Sequence, residues 1–261
     1  MERIKTYMAA AGIVLSDTQQ SQLETYYRMV VEKNQVMNLT AITERNEFIL
    51  KHLIDSIAPL TIKEFQGLFP VNAAPVSDKA VVTPASKKEH RKRKVRLIDV
   101  GTGAGFPGIP LKILCPALSV TLLDSLQKRV GFLQEVIGAL GLTDITAVHM
   151  RAEEGGQEPA LREKFDLAVS RAVANLSLLA EYDLPFVRTG GSFLAYKSGD
   201  VTDELRSAGH AIRVLGGHYE EPVFITLPGS DIRRAFVEIR KEKPTPKQYP
   251  RKAGTAKRNP L

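Results

Sequence analysis

The feature that most constrains the fold is a short apolar strand pattern that runs directly into a glycine-rich turn. Residues 97–100 (LIDV) are followed by residues 101–105 (GTGAG), and a segment rich in small residues comes next. Glycines at such a turn let a ligand approach backbone N–H groups at the start of a helix. The pattern is typical of the first strand of an α/β domain that holds a ligand at the carboxyl edge of its sheet.

The spacing of the glycines distinguishes this loop from two phosphate-binding motifs. A dinucleotide site requires G-x-G-x-x-G, and Phe106 stands where the third glycine would be. A Walker A loop requires Gly-Lys-Ser/Thr, which is absent. The pattern G-x-G-x-G after an acidic strand end resembles the first motif of class I methyltransferases, which bind S-adenosylmethionine. That ligand has no phosphate, and the loop contains no Lys or Arg.

A second acidic residue supports a ligand at this edge. Asp124 ends the next strand pattern, 23 residues after Gly101, close to the offset of ~20 residues at which a carboxylate binds ribose hydroxyls. The alternative role of Asp124 is to cap the helix that begins near Leu126, and the two roles are compatible. We predict a cofactor site that includes Asp99, Gly101, Gly103, Gly105, Asp124 and Ser125.

From residue 95 onward, short apolar runs alternate with helical patterns, which predicts βαβ units and a parallel sheet covered on both faces. The last two predicted strands flank a Pro-Gly-Ser-Asp turn and are expected to form an antiparallel hairpin at one edge. The predicted strands are 96–100, 120–124, 145–150, 165–170, 192–197, 223–227 and 235–240.

The N-terminal region has a different texture. Ser16 and Gln19 form a predicted capping box, and apolar residues then recur at helical spacing from Leu23 to Val30. A second helical pattern runs from Phe48 to Leu60. We therefore divide the chain into an N-terminal helical cap (1–69), a basic insert (70–94), a cofactor-binding domain (95–243) and a basic C-terminal tail (244–261).

The net charge of +7 is concentrated in two short segments. Residues 87–96 carry a net charge of +6 and residues 240–258 carry +7, so the rest of the chain carries −6. Basic residues interleaved with an aromatic such as Tyr249 suit RNA, because cations meet phosphates and the ring stacks on bases. For the insert, RNA binding and a solvated linker remain equal alternatives.

Composition excludes several classes of protein. One cysteine rules out a disulfide scaffold and a Cys-rich metal site. No uncharged apolar run reaches the ~18 residues of a membrane span, and no small-x-small cleavage site follows the short apolar run at residues 7–15. We expect a cytoplasmic protein without a metal or a membrane partner.

Longer motifs resemble one family. The glycine loop continues as VGTGAGFPGIPLKI, and LLDSLQKRVGFLQEV, RAEE at 151–154 and VSRAVANL follow it. Outside the predicted sheet, the resemblance continues in MNLTAI at 37–42, HLIDS at 52–56 and YPRKAGT at 249–255. Together these segments resemble the RsmG (GidB) family, bacterial methyltransferases that act on 16S ribosomal RNA.

The resemblance implies a Rossmann-like class I methyltransferase with a mainly parallel seven-stranded sheet behind a helical cap. It implies transfer of a methyl group from S-adenosylmethionine to N7 of a guanine in the 530 loop of 16S rRNA, either as RNA or in the small ribosomal subunit. Its cofactor contacts fall on Gly101, Phe106, Ala152, Glu153 and Arg171. The alternatives are packing for Phe106 and a surface ion pair for Glu153 and Arg171. The long basic insert departs from the family pattern.

Guanine N7 has an in-plane lone pair, so its methylation requires no general base. We therefore nominate no catalytic base and expect side chains that position the RNA or its base. The candidates besides Arg171 are Asn38, His52, Asp55, Arg129 and Lys197, although His52 also fits a partly buried structural role.

Two other functions remain open at this stage. One is a methyltransferase of a small molecule, which would not need the basic tail. The other is a non-catalytic RNA-binding assembly factor, which would bind RNA without consuming cofactor. The sequence leaves the oligomeric state undetermined.

Overall fold

The computed structural model describes residues 1–70, 94–171 and 174–261. Nearly all of the predicted basic insert therefore lies outside the described residues.

Two helices open the chain; the first has no counterpart among the elements predicted from the sequence, and the second forms as the sequence predicts. Helix α1 spans Glu2–Ala9 and α2 spans Asp17–Met37. The capping box is confirmed, because the Gln19 backbone N–H donates to Ser16 Oγ and the Ser16 N–H donates to Gln19 Oε1. Helix α2 buries Leu23, Tyr26 and Val30 on one face, as their spacing predicts.

The second helical pattern is one continuous but irregular stretch. It begins as α3 (Arg45–Phe48), widens to a π-helical segment (Ile49–Ile54), returns to α4 (Asp55–Ile57) and tightens to 3₁₀ turns at Ala58–Thr61 and Lys63–Phe65. A proline inside the pattern, Pro59, is compatible only with the first turn of a new segment.

The rest of the chain is an α/β domain with eight strands among the described residues. The strands are β1 (Arg96–Val100), β2 (Ser119–Asp124), β3 (Ile145–His149), β4 (Phe165–Arg171), β5 (Val187–Ser198), β6 (Gly217–Tyr219), β7 (Val223–Thr226) and β8 (Arg233–Lys241). The helices are α5 (Gly108–Leu114), α6 (Gln127–Ala139), α7 (Ala152–Gly155), α8 (Leu176–Asp183), α9 (Thr202–Val214) and α10 (Thr255–Arg258), with a 3₁₀ turn at Leu184–Phe186.

The sheet has the order β3-β2-β1-β4-β5-β8-β6, with β7 also paired to β8. Strands β1 to β5 are parallel, while β8 is antiparallel to β5, β6 and β7. The expected hairpin is confirmed as β7–β8. The expected strand number was one too low, because the three-residue strand β6 gives too short an apolar pattern. Strands β6 and β7 pair with successive parts of β8, so the sheet is seven strands wide.

Both faces of the sheet are covered. The cap packs on one face together with α5 and α6, and α8 and α9 pack on the other. Residues 244–261, expected as a tail, pack against the α/β domain: the Tyr249 ring joins the apolar cluster under α8 and α9. Within the described segments, no helix is long and apolar enough to cross a bilayer.

Candidate cofactor site

A cavity of about 340 Å³ opens at the carboxyl edge of the sheet. Its walls come from the ends of β1 to β4 and the residues that follow them, and from α6, α7, α8 and α10. The cavity is lined by six of the residues predicted from the sequence: Gly101, Asp124, Ser125, Arg129, Ala152 and Glu153.

The glycine loop combines an open position with a crowded one. Gly101 has φ of +71°, and a Cβ added there would meet no protein atom within 4 Å. At Gly105 a Cβ would lie 2.5 Å from Ile109 Cδ1 and 2.8 Å from the Tyr26 hydroxyl. Gly101 therefore leaves space at the cavity, whereas Gly105 is required for packing of the loop against the cap.

Asp99 holds the glycine loop in place through hydrogen bonds. Its Oδ2 accepts hydrogen bonds from Thr102 Oγ1 at 2.6 Å and from the Gly108 N–H at 2.8 Å. Burial raises the pKa of Asp99 to about 6. Asp99 does not line the cavity; its contacts hold the turn that does.

Asp124 connects the loop to the chain after β2. Its Oδ2 accepts from the Gly103 N–H and its Oδ1 from the Leu126 N–H, both at 2.9 Å. Arg129 Nη1 lies 3.5 Å from the same carboxylate. Asp124 lines the cavity, but it is not the helix cap considered as its alternative: Leu126 is the N-cap residue of α6, and no side chain caps that helix.

Glu153 in α7 is buried, and the ion pair it forms is with the exposed Arg151. Its Oε1 accepts a hydrogen bond from the Gly254 N–H at 3.0 Å, and Oε2 lies 3.8 Å from Arg151 Nε. Its carboxylate is therefore held by protein groups.

Phe106 and Arg171 lie at the junction between the cap and the sheet, outside the residues that line the cavity. Phe106 packs against Tyr26 and stacks on the His52 ring, with centroids 4.7 Å apart and an interplanar angle of 13°. Arg171 donates to the carbonyls of Lys51 and His52 at 3.3 and 3.4 Å. Direct contact of either residue with a cofactor stays a prediction.

Two of the candidate positioning residues belong to the same junction. Asp55 is buried between Arg171 Nη1 at 3.3 Å and Arg234 Nε at 2.8 Å. His52 Nδ1 lies 3.2 Å from Arg171 Nη2, and Nε2 lies 2.6 Å from Thr40 Oγ1. Because a guanidinium only donates, Nδ1 accepts and the neutral ring carries its proton on Nε2. Burial and the Arg171 charge lower the pKa of His52 to about 3.

The remaining candidates are dispersed. Arg129 lies on the cavity wall. Lys197 Nζ donates to Glu204 Oε1 at 2.6 Å and to the Ala174 carbonyl at 2.9 Å, so its charge is paired. Asn38 is exposed at the end of α2, with φ of +48°. Neither Lys197 nor Asn38 lines the cavity.

Five polar cavity residues were not anticipated from the sequence: Arg151, Ser170, Tyr182, Asp183 and Lys257. Asp183 is fully buried, and neither carboxylate oxygen has a hydrogen-bond partner among the described residues. Burial, together with the charge of Asp99, raises the pKa of Asp183 well above its ordinary value. No group of three or more His, Cys, Asp or Glu residues in the described ranges is arranged to hold a metal ion.

Comparison with known proteins gives a consistent result. The family model described as GidB, rRNA small subunit methyltransferase G, matches residues 19–68 and 74–228. The ribosomal RNA small subunit methyltransferase G of Lactobacillus johnsonii is 47% identical over 254 residues, which cover 97% of this chain and 96% of that protein. Its counterpart from Alkaliphilus metalliredigens is 46% identical over 250 residues, which cover 96% of this chain and 94% of that protein.

Among solved structures, a predicted O-methyltransferase from Agrobacterium tumefaciens is similar with a TM-score of 0.47 and 19% identity, covering 59% of this chain and 77% of that one. The family model matches most of the chain, and the relatives match nearly all of it, in agreement with the glycine loop and the sheet topology. The chain therefore belongs to the rRNA small subunit methyltransferase G family.

Proposed function

We propose that this protein binds S-adenosylmethionine in the cavity at the carboxyl edge and transfers its methyl group to N7 of a guanine in the 530 loop of 16S rRNA. The observation that carries the proposal is the open cavity between Gly101, Asp124 and Ala152, in a chain 47% identical to a named rRNA methyltransferase along nearly its whole length. Ribosomal RNA as the substrate implies the cytoplasm as the location.

The cavity residues fit this cofactor. The volume of about 340 Å³ falls within the range of ~300–1,000 Å³ typical of small-molecule sites. Asp124 supplies a carboxylate beside the open Gly101 position, and no Lys or Arg in the glycine loop calls for a phosphate. When bound, S-adenosylmethionine supplies an electrophilic methyl group on a sulfonium.

The protein's own contribution is to hold the cofactor and to orient its methyl group toward the substrate. Gly101 leaves space for the ligand, Asp124 offers acceptors for hydroxyl groups, and the loop at Ala152 forms the opposite wall. Holding two reactants in line can remove ~7–11 kcal/mol from a barrier. Alignment is therefore the main task of this site.

Among the described residues of the junction next to the cavity, the Asp55 carboxylate is paired with Arg171 and Arg234, and both His52 nitrogens have protein partners. His52 accepts from Arg171 and pairs with Thr40, and its pKa of about 3 keeps it neutral. This agrees with attack by the N7 lone pair, which releases no proton from the guanine.

The two alternatives are less well supported. A small-molecule methyltransferase does not fit the family named by the relatives. A non-catalytic assembly factor would not need the open cavity. Deleting 244–261 does not discriminate between RNA and small-molecule substrates, because that segment contacts Glu153 in the cavity wall.

The test is methyl transfer with ribosomal substrates that lack the modification. Small subunits and naked 16S rRNA are incubated separately with the protein and S-adenosylmethionine, and N7-methylguanosine is mapped by reverse transcription. We expect one modified guanine in the 530 loop. A methylated base elsewhere would correct the target, and RNA binding without any transfer would favour the assembly-factor alternative.

A further inference from the structure

The C-terminal segment, residues 244–261, is fixed to the α/β domain by two arginines. Arg251 makes a two-point pair with the buried Glu181, with Nε–Oε1 at 2.8 Å and Nη2–Oε2 at 2.5 Å. Arg162 Nη1 donates to the Tyr249 carbonyl and its Nη2 to the Thr245 carbonyl, both at 2.7 Å. Paired guanidinium contacts of this kind fix orientation as well as position.

Between these contacts and the end of the chain, the segment reaches the cavity. The Gly254 N–H donates to Glu153 Oε1 at 3.0 Å, and Glu153 lines the cavity from α7. Three residues later, Lys257 in α10 is itself a lining residue. The segment therefore forms part of the cavity wall, and its Gly254 is attached to α7 through the buried carboxylate of Glu153.

The surroundings of that carboxylate indicate what it does. One oxygen of Glu153 accepts from Gly254, and the other faces Arg151. Tyr182 lines the same cavity, and burial and the charge of Glu153 raise the pKa of Tyr182. The Glu153 carboxylate is thus committed to Gly254 of the C-terminal segment and to Arg151 at the start of its own helix.

We propose that Glu153 is a positioning residue whose carboxylate anchors the C-terminal segment as the outer wall of the cofactor cavity. The inference rests on the proposed cofactor for its ligand and on the observed contacts for its anchor. Ligand binding and segment packing are then coupled: a bound ligand stabilises the packed segment, and loosening the segment weakens binding.

The test compares two substitutions at one position by titration calorimetry with S-adenosylhomocysteine. Glu153→Gln keeps an oxygen that accepts from the Gly254 N–H, so we expect affinity close to wild type. Glu153→Ala removes the anchor and is expected to weaken binding by about tenfold or more. Equal losses in both variants would mean that the carboxylate charge contacts the ligand directly, and would overturn the proposal.

Limited digestion with trypsin gives a readout that does not depend on methyl transfer. We expect faster cleavage after Lys252 and Lys257 in Glu153→Ala than in wild type or Glu153→Gln, and protection by S-adenosylhomocysteine in wild type. The matched control is Glu158→Ala, at an exposed glutamate three residues after α7 that does not line the cleft between α7 and the C-terminal segment; this variant should cleave like wild type. Unchanged cleavage in Glu153→Ala would refute the anchor.

The two readouts also distinguish this proposal from the function it rests on. If the folded wild-type protein binds no S-adenosylhomocysteine, the cofactor assignment fails while the digestion still decides whether Glu153 anchors the segment. If Glu153→Ala does not fold, Glu153→Asp provides the same comparison, because a side chain shorter by one methylene does not reach Gly254.

Discussion

The guanidinium carbon of Arg171 lies 5.0 Å from the centre of the Phe106 ring. Arg171 ends β4 and Phe106 follows the glycine loop, so the contact joins two parts of the carboxyl edge. The same guanidinium donates to carbonyl and side-chain acceptors of the helical cap, including Asp55 at 3.3 Å. Arg171 therefore connects the cap, the glycine loop and the sheet.

We expect Arg171→Lys to fold but to be less stable than wild type by about 2 kcal/mol, since hydrogen bonds to a charged group contribute about 1.5–3 kcal/mol. Lysine keeps the charge but loses the forked donors and the planar guanidinium that lies over the Phe106 ring. Urea unfolding measures the free energy, and labelled-methyl transfer to ribosomal RNA is expected to fall with it.

Arg234→Lys is the matched control, because Arg234 pairs with the same carboxylate of Asp55 through Nε and does not stack on Phe106. A similar loss of methyl transfer in both variants would mean that Arg171 matters only as a partner of Asp55. Near wild-type transfer by Arg171→Lys would show that the residue is a simple cation.

The stability of the cap junction should depend on pH through His52. Its folded pKa of about 3 lies below the ordinary value of 6.5, so the unfolded chain takes up a proton first as the pH falls. The contribution of His52 is therefore complete above pH 6.5 and is lost as the pH falls toward 3.

His52→Gln removes this titration. Relative to the variant, the free energy of unfolding of wild type should fall by up to about 1.4 kcal/mol per pH unit below pH 6. Urea unfolding of both proteins at a series of pH values measures the difference. Parallel curves would show that His52 titrates normally in the folded protein.

The core of the site was predictable because local backbone chemistry determines it. The motif consists of residues close together in the sequence. Gly101 and Gly103 have positive φ, and an acidic residue lies near the end of each of the first two strands. The capping box and the β7–β8 hairpin are local in the same sense. A motif of this kind predicts which loop forms the cavity.

Features that depend on distant packing could not be predicted. The charge run at residues 240–258 predicted a basic tail suited to RNA, but the partners of its arginine Arg251 and glycine Gly254 lie 70 and 101 residues away at Glu181 and Glu153. Asp183 lies in an apolar helical pattern with no signal that it lines a cavity. A periodicity identifies a buried face, but it does not identify what that face meets.

The buried carboxyl group of Asp183 provides a test of how the cavity lining affects stability at different pH values. Its carboxyl is buried without a hydrogen-bond partner among the described residues, and burial raises its pKa well above 3.8. Its stabilising contribution is therefore complete below pH 3.8 and is lost as the pH rises through the folded pKa. We expect Asp183→Asn to be more stable than wild type near pH 8, with a smaller advantage near pH 5.

Thermal unfolding across this pH range provides the measurement. Asp200→Asn is a control of opposite sign, since hydrogen bonds from Thr202 lower the pKa of the exposed Asp200. Removing that carboxylate should cost stability at neutral pH. An advantage of Asp183→Asn that does not change with pH would show that Asp183 ionises normally.

The most direct test of the cavity compares two glycines of one loop. Gly101 and Gly103 have φ of +71° and +61°, and a Cβ at either would meet no protein atom within 4 Å. An L-residue in this conformation costs roughly 1–2 kcal/mol, so Gly101→Ala and Gly103→Ala should lose similar stability. Of these two glycines, only Gly101 lines the cavity.

We therefore expect Gly101→Ala to weaken S-adenosylhomocysteine binding by about tenfold or more, and Gly101→Val to abolish it. The affinity of Gly103→Ala should stay close to that of wild type. Calorimetry on the folded variants decides: equal affinities for the two alanine variants would mean that the ligand does not approach the backbone at Gly101.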